Sequence, residues 1–276
     1  MSQAAIVSAF IRDGAGGNAA GVVLDASGFS DTERQKIAAR LGLSETVFVE
    51  PLSDGAIKLR FFTPTVELDL CGHATIAAFA HLLDKKRIAC GRLMMDAKAG
   101  ALAVEVLPDG LVWMDQNTPV FGASVAVDAV TAALGGAKIL DARVVSTGLP
   151  DLLAEVASRE VLWALKPDLA AVRDLTAGSG ALSLHVYAKG AGGVAAYCRD
   201  FAPLVGIDED PATGTASGAL ACHLVERGAA PVVMTFIQGP SLDKTSEILA
   251  LVQAAGRRID RVRVGGRAKL EREVPL

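Results

Sequence analysis

The sequence predicts an α+β protein of two similar domains. Each is a curled mixed or antiparallel sheet wrapped around a central buried helix, and the two are related by a pseudo-two-fold. Three observations predict this. Residues 60–83 recur, in altered form, at residues 199–225. Each copy carries a helix pattern that is apolar on every side. Strand patterns flank each copy in a similar order, the arrangement of one layer packed on another that a core requires.

The recurrence is specific. At a constant offset of 142, Glu67 meets Glu209, Gly72 meets Gly214, Ala74 meets Ala216, Thr75 meets Ser217, Ala77 meets Ala219, His81 meets His223 and Leu82 meets Leu224. The prelude Arg60-Phe61-Phe62-Thr63-Pro64 returns as Arg199-Asp200-Phe201-Ala202-Pro203, three residues out of phase. Two halves on one plan suggest a site at the interface between them. The helix patterns at 74–83 and 216–225 have no polar stripe, as expected of helices buried all round. Each begins just after a glycine, with Thr75 or Ser217 in its first turn. The first backbone N–H groups of a helix lack partners within it and carry partial positive charge, so a buried helix start is a seat for an anion. Two such starts facing one cleft would grip a small carboxylic acid.

The elements follow in order. Strands are expected at 4–11 and 21–25 around the turn Asp13-Gly14-Ala15-Gly16-Gly17-Asn18. Ser30-Asp31-Thr32-Glu33 reads as a capping box, so a helix follows and stops near Gly42. Strands at 46–50 and 56–62 precede the first buried helix, which ends near Asp84-Lys85-Lys86-Arg87. A meander follows at 92–96, 101–107 and 110–115, with a turn at Pro108-Asp109-Gly110. Residues 117–130 are weakly patterned and mark the crossover. The first domain is therefore drawn over 1–118, with a C-terminal segment of about 264–276 returning to it, and the second over 119–263. In the second half, strands at 139–146 and 152–156 lead to a helix near 167–174. Strands at 182–188 and 194–199 precede the second buried helix, and strands near 230–238, 247–254 and 260–272 close the chain.

Composition narrows the function. Of 276 residues 51% are hydrophobic and 21% charged, enough apolar material for two cores. The net charge of −4 and the lack of a basic block argue against nucleic acid as the partner. No apolar run reaches the roughly 18–20 residues of a membrane span, and the N-terminal residues do not read as a signal peptide. Cys71, Cys90, Cys198 and Cys222 are scattered, without a Cys-x-x-Cys pair, which fits reduced thiols and a cytoplasmic protein. There is no His-x-x-x-His metal pattern.

Several residues are candidates for chemistry. Glu45, in Leu43-Ser44-Glu45-Thr46-Val47, sits at the joint of a helix and an apolar strand. Burial there would raise its pKa and let it carry protons near neutral pH. From position alone, a solvated loop carboxylate is the simpler reading. His73, at the first helix start, reads equally as a substrate donor or as a packing histidine. His81 and His223 lie two turns deeper and read as structural, with rings bonded to backbone. Asp210 precedes Pro211, which biases it to an extended conformation, where it caps the turn or binds a substrate amine or hydroxyl. Thr215 offers a hydroxyl to a carboxylate. Glu67 and Glu209 are repeat equivalents, which favours a shared structural role. Cys71 is at a helix start, where a thiol pKa tends to fall, yet its counterpart is Thr213, so no opposed thiol pair exists and packing is favoured.

Together, Gly17-Asn18, Leu43 to Val49, Arg60 to Pro64, Glu67 to Thr75, Ser146-Thr147-Gly148-Leu149-Pro150, Arg199 to Pro203, Glu209 to Gly214, Gln238-Gly239 and Val264-Gly265-Gly266 resemble the phenazine-biosynthesis PhzF-like isomerase family, within the diaminopimelate epimerase-like superfamily. The resemblance covers essentially the whole chain, and Cys71-Gly72-His73-Ala74-Thr75 followed by Asp210-Pro211-Ala212-Thr213-Gly214 is its most specific part. It implies two domains with a cleft between them, and a homodimeric proton-transfer isomerase using no cofactor and no metal. It implies Glu45 as general acid/base, reversing the reading from position. His73 and Asp210 join it as catalytic candidates, with Gly72, Ala74, Gly214 and Thr215 around a small anionic substrate. Departures from the family pattern are Ala19 after Gly-Asn, Thr215 in place of serine, and Asp243-Lys244-Thr245-Ser246 where the family has a Gly-Arg-Pro-Ser-like segment. The leading expectation is an isomerase moving a proton on a small carboxylic acid. The alternatives are an amino-acid epimerase using Glu45 with Cys71 or His73, and a non-catalytic small-acid binding protein.

Overall fold

The structure, a computed structural model, describes residues 3–51, 56–230, 232–256 and 258–276. Backbone contacts divide the chain into two units, Met1–Asp115 with Gly265–Leu276, and Gln116–Val264.

The first unit opens with β1 (Gln3–Ala9) and β2 (Asn18–Val23), then α1 (Asp31–Leu41), β3 (Thr46–Pro51), β4 (Ile57–Phe62) and the short β5 (Glu67–Leu68). The buried helix α2 (Gly72–Asp84) is followed by β6 (Gly91–Ala97), β7 (Gly100–Val106) and β8 (Val112–Gln116). The second unit contains β9 (Val120–Ser124), α3 (Val127–Ala133), β10 (Ile139–Ser146), β11 (Pro150–Val156), α4 (Arg159–Ala164), α5 (Leu169–Ser179), β12 (Ser183–Lys189), β13 (Ala196–Ala202) and β14 (Ile207–Asp210). Then come the second buried helix α6 (Gly214–Glu226), β15 (Val233–Gln238), β16 (Ser246–Ala255) and β17 (Arg258–Gly266), which carries the chain back to the first unit's β18 (Ala268–Pro275).

The repeat extends to the strand pairing. In the first unit β1 pairs antiparallel with β2, β2 parallel with β3, β3 antiparallel with β4, β4 antiparallel with β5 and parallel with β6, and β6 antiparallel with β7. The second unit repeats that sequence of pairings from β10 to β16, term for term. β18 lies antiparallel along β1, where the second unit has β9 along β10. The fold is thus α+β with a mixed sheet.

The strands of each unit pack on that unit's own buried helix. α2 touches β1, β2, β3, β7 and β18, and α6 touches β10, β11 and β16. Gly72 to Phe79 of α2 and Gly214 to His223 of α6 are buried without a break, so neither helix has a solvent face to make polar. Ile76, Phe79 and Leu220 are fully buried, each contributing about 1.5–3 kcal/mol of transfer free energy. The hydroxyls of Thr75 and Ser217 donate to the carbonyls of Cys71 and Thr213, at 2.7 and 2.9 Å. That equivalence explains the repeated hydroxyl: it ties each helix start to its own cap residue.

α1 carries the expected capping box, with Ser30 and Glu33 bonded reciprocally, and ends at Gly42. The repeated glutamates have the shared structural role expected of them. Arg60 Nε donates to Glu67 at 2.5 Å, and Arg199 grips Glu209 through Nε and Nη2 at 2.9 and 2.8 Å. The repeated arginine and the repeated glutamate are therefore partners, one pair per unit.

Some elements differ from expectation. The stretch 117–130 contains β9 and the start of α3, whose sequences are too short to show a period. α4 was not expected, and α5 runs to Ser179. The segment 260–272 is split between β17 and β18, which meet around Arg267. Pro231, inside the strand expected at 230–238, lies outside the described residues. The two deep histidines are structural but not bonded to backbone as expected: His223 Nε2 contacts Asp141 Oδ2 at 3.2 Å, and the buried His81 Nδ1 has no hydrogen-bond partner. Helix carbonyls near them are committed to the helix itself. The four cysteines are free thiols. No helix among the described residues is long and apolar enough to cross a membrane.

Candidate active site

The first unit brings Glu45 and His73 together. Glu45 immediately precedes β3, and its carbonyl accepts from Gly21 N–H of β2 at 3.0 Å, so the residue is pinned by sheet pairing. It is 5% exposed, which excludes the solvated-loop reading. Its Oε2 lies 3.1 Å from His73 Nε2. Neither atom meets hydrogen-bond geometry with any partner, so the two meet as a close charge contact. At the other ring nitrogen, Asn18 Nδ2 and Cys71 Sγ lie 3.3 and 3.5 Å from His73 Nδ1. Asn18 is buried at the first position of β2. Gly17 before it has φ +85°, and a Cβ there would sit 2.5 Å from the Ala9 carbonyl oxygen. Glycine is thus required for the turn that delivers Asn18 to the imidazole.

The electrostatics follow from this packing. Burial raises the Glu45 pKa, but the charge of the adjacent His73, with a hydrogen bond from Ser44, outweighs it and holds the carboxyl below its ordinary value. This corrects the expectation of a raised Glu45 pKa: the apolar setting is as expected, but a cation sits inside it. Burial opposes charge on His73, yet the Glu45 carboxylate beside it raises its pKa well above the usual imidazole range. Burial pushes the Cys71 thiol up, so Cys71 is a neutral packing thiol despite its place as the N-cap of α2. Helix-start stabilisation of a thiolate is outweighed by desolvation.

The backbone at the start of α2 completes this half. Cys71 makes no side-chain cap bond of full geometry, so the N–H groups of Gly72 and His73 are not spent on a capping side chain. Glu45, Cys71 and His73 have metal-ligating atoms within 4.8 Å of one another.

Asp210, Gly214 and Thr215 belong to the second unit. Asp210 is the last residue of β14, 8% exposed, opposite Asp200 of β13. Thr213 caps α6 without a side-chain cap bond to the helix, because its hydroxyl donates to Asp210 Oδ2 at 2.6 Å. Thr215 is 7% exposed in the first turn of α6. Its carbonyl lies 3.3 Å from the Thr147 hydroxyl, which donates at 2.7 Å to Gln116 Oε1. Sequence reasoning did not single out Asn18, Thr213 or Gln238 as site residues. All three did stand in the motifs of the sequence, Asn18 and Gln238 beside glycines that the backbone needs and Thr213 as the counterpart of Cys71.

A family profile described as phenazine biosynthesis-like protein, PhzC-PhzF, matches residues 7–273. The chain belongs to this family. Among relatives of the family, an uncharacterized isomerase of Deinococcus radiodurans is 38% identical over 99% of this chain and 94% of its own length. A trans-2,3-dihydro-3-hydroxyanthranilate isomerase of Pseudomonas aeruginosa is 30% identical over 96% of each chain. A Bacillus anthracis PhzF-family crystal structure superposes with a TM-score of 0.86 at 27% identity, covering 99% of this chain and 98% of that one. The fold is that of PhzF-family proteins, and the chain is an isomerase-family enzyme.

Proposed function

We propose that this chain is a cofactor-independent isomerase that moves a proton on a small carboxylic acid, with Glu45 as the single acid/base. The observation that carries the reading is the buried Glu45–His73 contact at 3.1 Å, at the start of a buried helix whose side-chain cap is missing. His73 keeps Glu45 ionised in the resting enzyme, so the carboxylate is ready to accept a proton. It takes that proton from a carbon next to an activating group and returns it, as the neutral acid, to another carbon of the same substrate. General acid–base catalysis of this kind supplies about 10²–10⁴-fold. The N–H groups at the start of α2, around Gly72, His73 and Ala74, hold the substrate carboxylate and meet charge developing in the transition state. The reading includes the start of α6, Gly214 and Thr215, as a second carboxylate contact, in a cleft between the two units. Asp210 orients a substrate amine or hydroxyl. A cytoplasmic homodimer is part of the reading, and light scattering tests the dimer.

The test uses trans-2,3-dihydro-3-hydroxyanthranilate, the substrate in the name of the Pseudomonas relative, in deuterated buffer followed by NMR. Wild type should shift the double bond and take up deuterium, and Glu45→Gln should not. Equal turnover by both proteins would end the assignment of Glu45. The epimerase alternative is disfavoured by the neutral, buried Cys71 and by Thr213 at the equivalent position.

A further inference from the structure

We infer that Gln238 is a positioning residue for Asp210, acting through Thr213. Gln238 ends β15, between Cys198 of β13 on one side and Ser246 of β16 on the other. It is 0% exposed, and strand pairing on both sides holds its backbone. Both ends of that amide are used on one loop. Nε2 donates to the Asp210 carbonyl at 2.7 Å and to Thr213 Oγ1 at 3.0 Å, and Oε1 accepts from Thr213 N–H at 3.2 Å. An amide has two N–H donors, and each has a target here.

These bonds fix a direction. Thr213 Oγ1 receives an N–H from Gln238, and the one hydrogen it owns then goes to Asp210 Oδ2, 2.6 Å away. Bonds chained in this way polarise one another, and the carboxylate of Asp210 is set in rotation as well as in position. The next residue reinforces the clamp from the main chain. Gly239 has φ +87°, and a Cβ there would lie 2.2 Å from the Lys244 carbonyl oxygen and 2.7 Å from that of Pro211. The turn after Gln238 thus presses directly on the loop that carries Asp210.

The repeat supplies an internal control. Ile57 lies opposite Met95 and Ala196 opposite Phe236. Ile57 and Ala196 each stand three residues before the repeated arginine, so the register equivalent of Gln238 is Ala97. Asp210 and Thr213 correspond, at the offset of 142, to Leu68 and Cys71. Carboxylate, hydroxyl and amide are all absent from the first unit together. A clamp needed by the fold alone would recur in both copies, whereas this one accompanies Asp210.

The inference rests on the proposed reading, in which Asp210 orients the substrate. Its test compares Gln238→Ala, Gln238→Glu, Thr213→Val, Thr213→Ser, Asp210→Asn and the double variant Asp210→Asn/Gln238→Ala, with Glu45→Gln as control, on trans-2,3-dihydro-3-hydroxyanthranilate. Gln238→Glu preserves shape but puts an acceptor against the Asp210 carbonyl. Gln238→Ala, Gln238→Glu and Thr213→Val should each lower kcat/KM by about 10–100-fold while still melting cooperatively above the assay temperature, and Thr213→Ser should recover most of the loss. The double variant should be no worse than Asp210→Asn, because groups acting as one unit are not additive. Losses that multiply in the double variant, or Gln238→Ala at wild-type turnover while Glu45→Gln is inactive, overturn the inference and leave the proposed reaction standing. A silent wild type, or an active Glu45→Gln, overturns the proposed reaction instead. The clamp is then decided by the Thr213 amide, whose hydrogen exchange must accelerate in Gln238→Ala; unchanged exchange overturns it.

Discussion

His73 Nε2 stands 3.1 Å from Glu45 Oε2, and both side chains are 7% exposed. Each group alone would be driven toward its neutral form by burial. Paired, each favours the other's charge, and the pair as a whole is neutral. The same contact that stabilises the pair holds Glu45 in the basic form that the proposed reaction needs.

Glu45→Gln removes the proton carrier and keeps the shape. Turnover should fall by about 10²–10⁴-fold, while binding of a substrate or product, read by calorimetry, should persist. Loss of binding with loss of turnover would make Glu45 a structural residue.

His73→Asn removes the cation beside Glu45. Glu45 lies below its ordinary value in the folded protein because His73 outweighs burial, so without His73 burial dominates and the pKa rises above the ordinary carboxylate range. Because the ionised carboxylate is the active form, the acid limb of kcat/KM should move to higher pH. Stability should follow the same linkage. In wild type, the Glu45 contribution is present above the unfolded-state pKa and is lost as pH falls through the folded one. Melting temperatures across acidic pH should therefore converge for wild type and variant. An unmoved acid limb would show that another group controls it.

Arg199 and Arg60 hold equivalent places with unequal burial. The Arg199–Glu209 side chains are 8% and 14% exposed, against 16% for each of Arg60 and Glu67. Arg199 also donates to the carbonyls of Leu162 and Leu165, at 3.3 and 2.9 Å, tying the end of α4 to β13. Arg199→Ala should cost about 3–5 kcal/mol, as for a broken buried pair, and Arg60→Ala less. Chemical denaturation measures both, and the reverse order would contradict this account.

Asp151, Ser183 and Asp200 share one hydroxyl. Ser183 Oγ lies 2.9 Å from Asp151 Oδ1 and 2.9 Å from Asp200 Oδ1. A hydroxyl has one hydrogen, so one carboxyl must supply its own. Asp151 is that one, because burial and the charge of Asp200 raise its pKa well above the ordinary range. Asp200 has His185 Nδ1 at 2.9 Å. A raised carboxyl pKa contributes stability below its unfolded value that declines as pH climbs toward the folded one. Asp151→Asn keeps a donor for Ser183 and removes that decline, so its stability at neutral pH should match or exceed wild type. Asp151→Ala should lose about 1–3 kcal/mol. A destabilised Asp151→Asn would mean that Asp151 is ionised.

Much of this protein was legible in its sequence. The offset of 142 announced two units on one plan, and unbroken apolar runs announced α2 and α6, because a helix without a polar face has nowhere to be but inside. Ser30 and Glu33 fixed the start of α1 through local bonds. These features depend on residues close in sequence, or on identity between copies, and need no tertiary information. The motifs carried the family as well. What the sequence could not contain was which polar groups meet. Glu45 and His73 are separated in sequence by three strands and a helix start, and only the packing of the sheet on α2 sets them 3.1 Å apart. Burial alone predicted a raised Glu45 pKa; the neighbour that reverses it is a fact of packing. Gln238 likewise was one amide at the end of a strand until β13 and β16 placed it over Thr213 and Asp210. Charge and hydrogen bonding act over a few ångströms of space, so their outcome is decided by the tertiary structure, whereas hydrophobic periodicity and capping act along the chain and are written in its order.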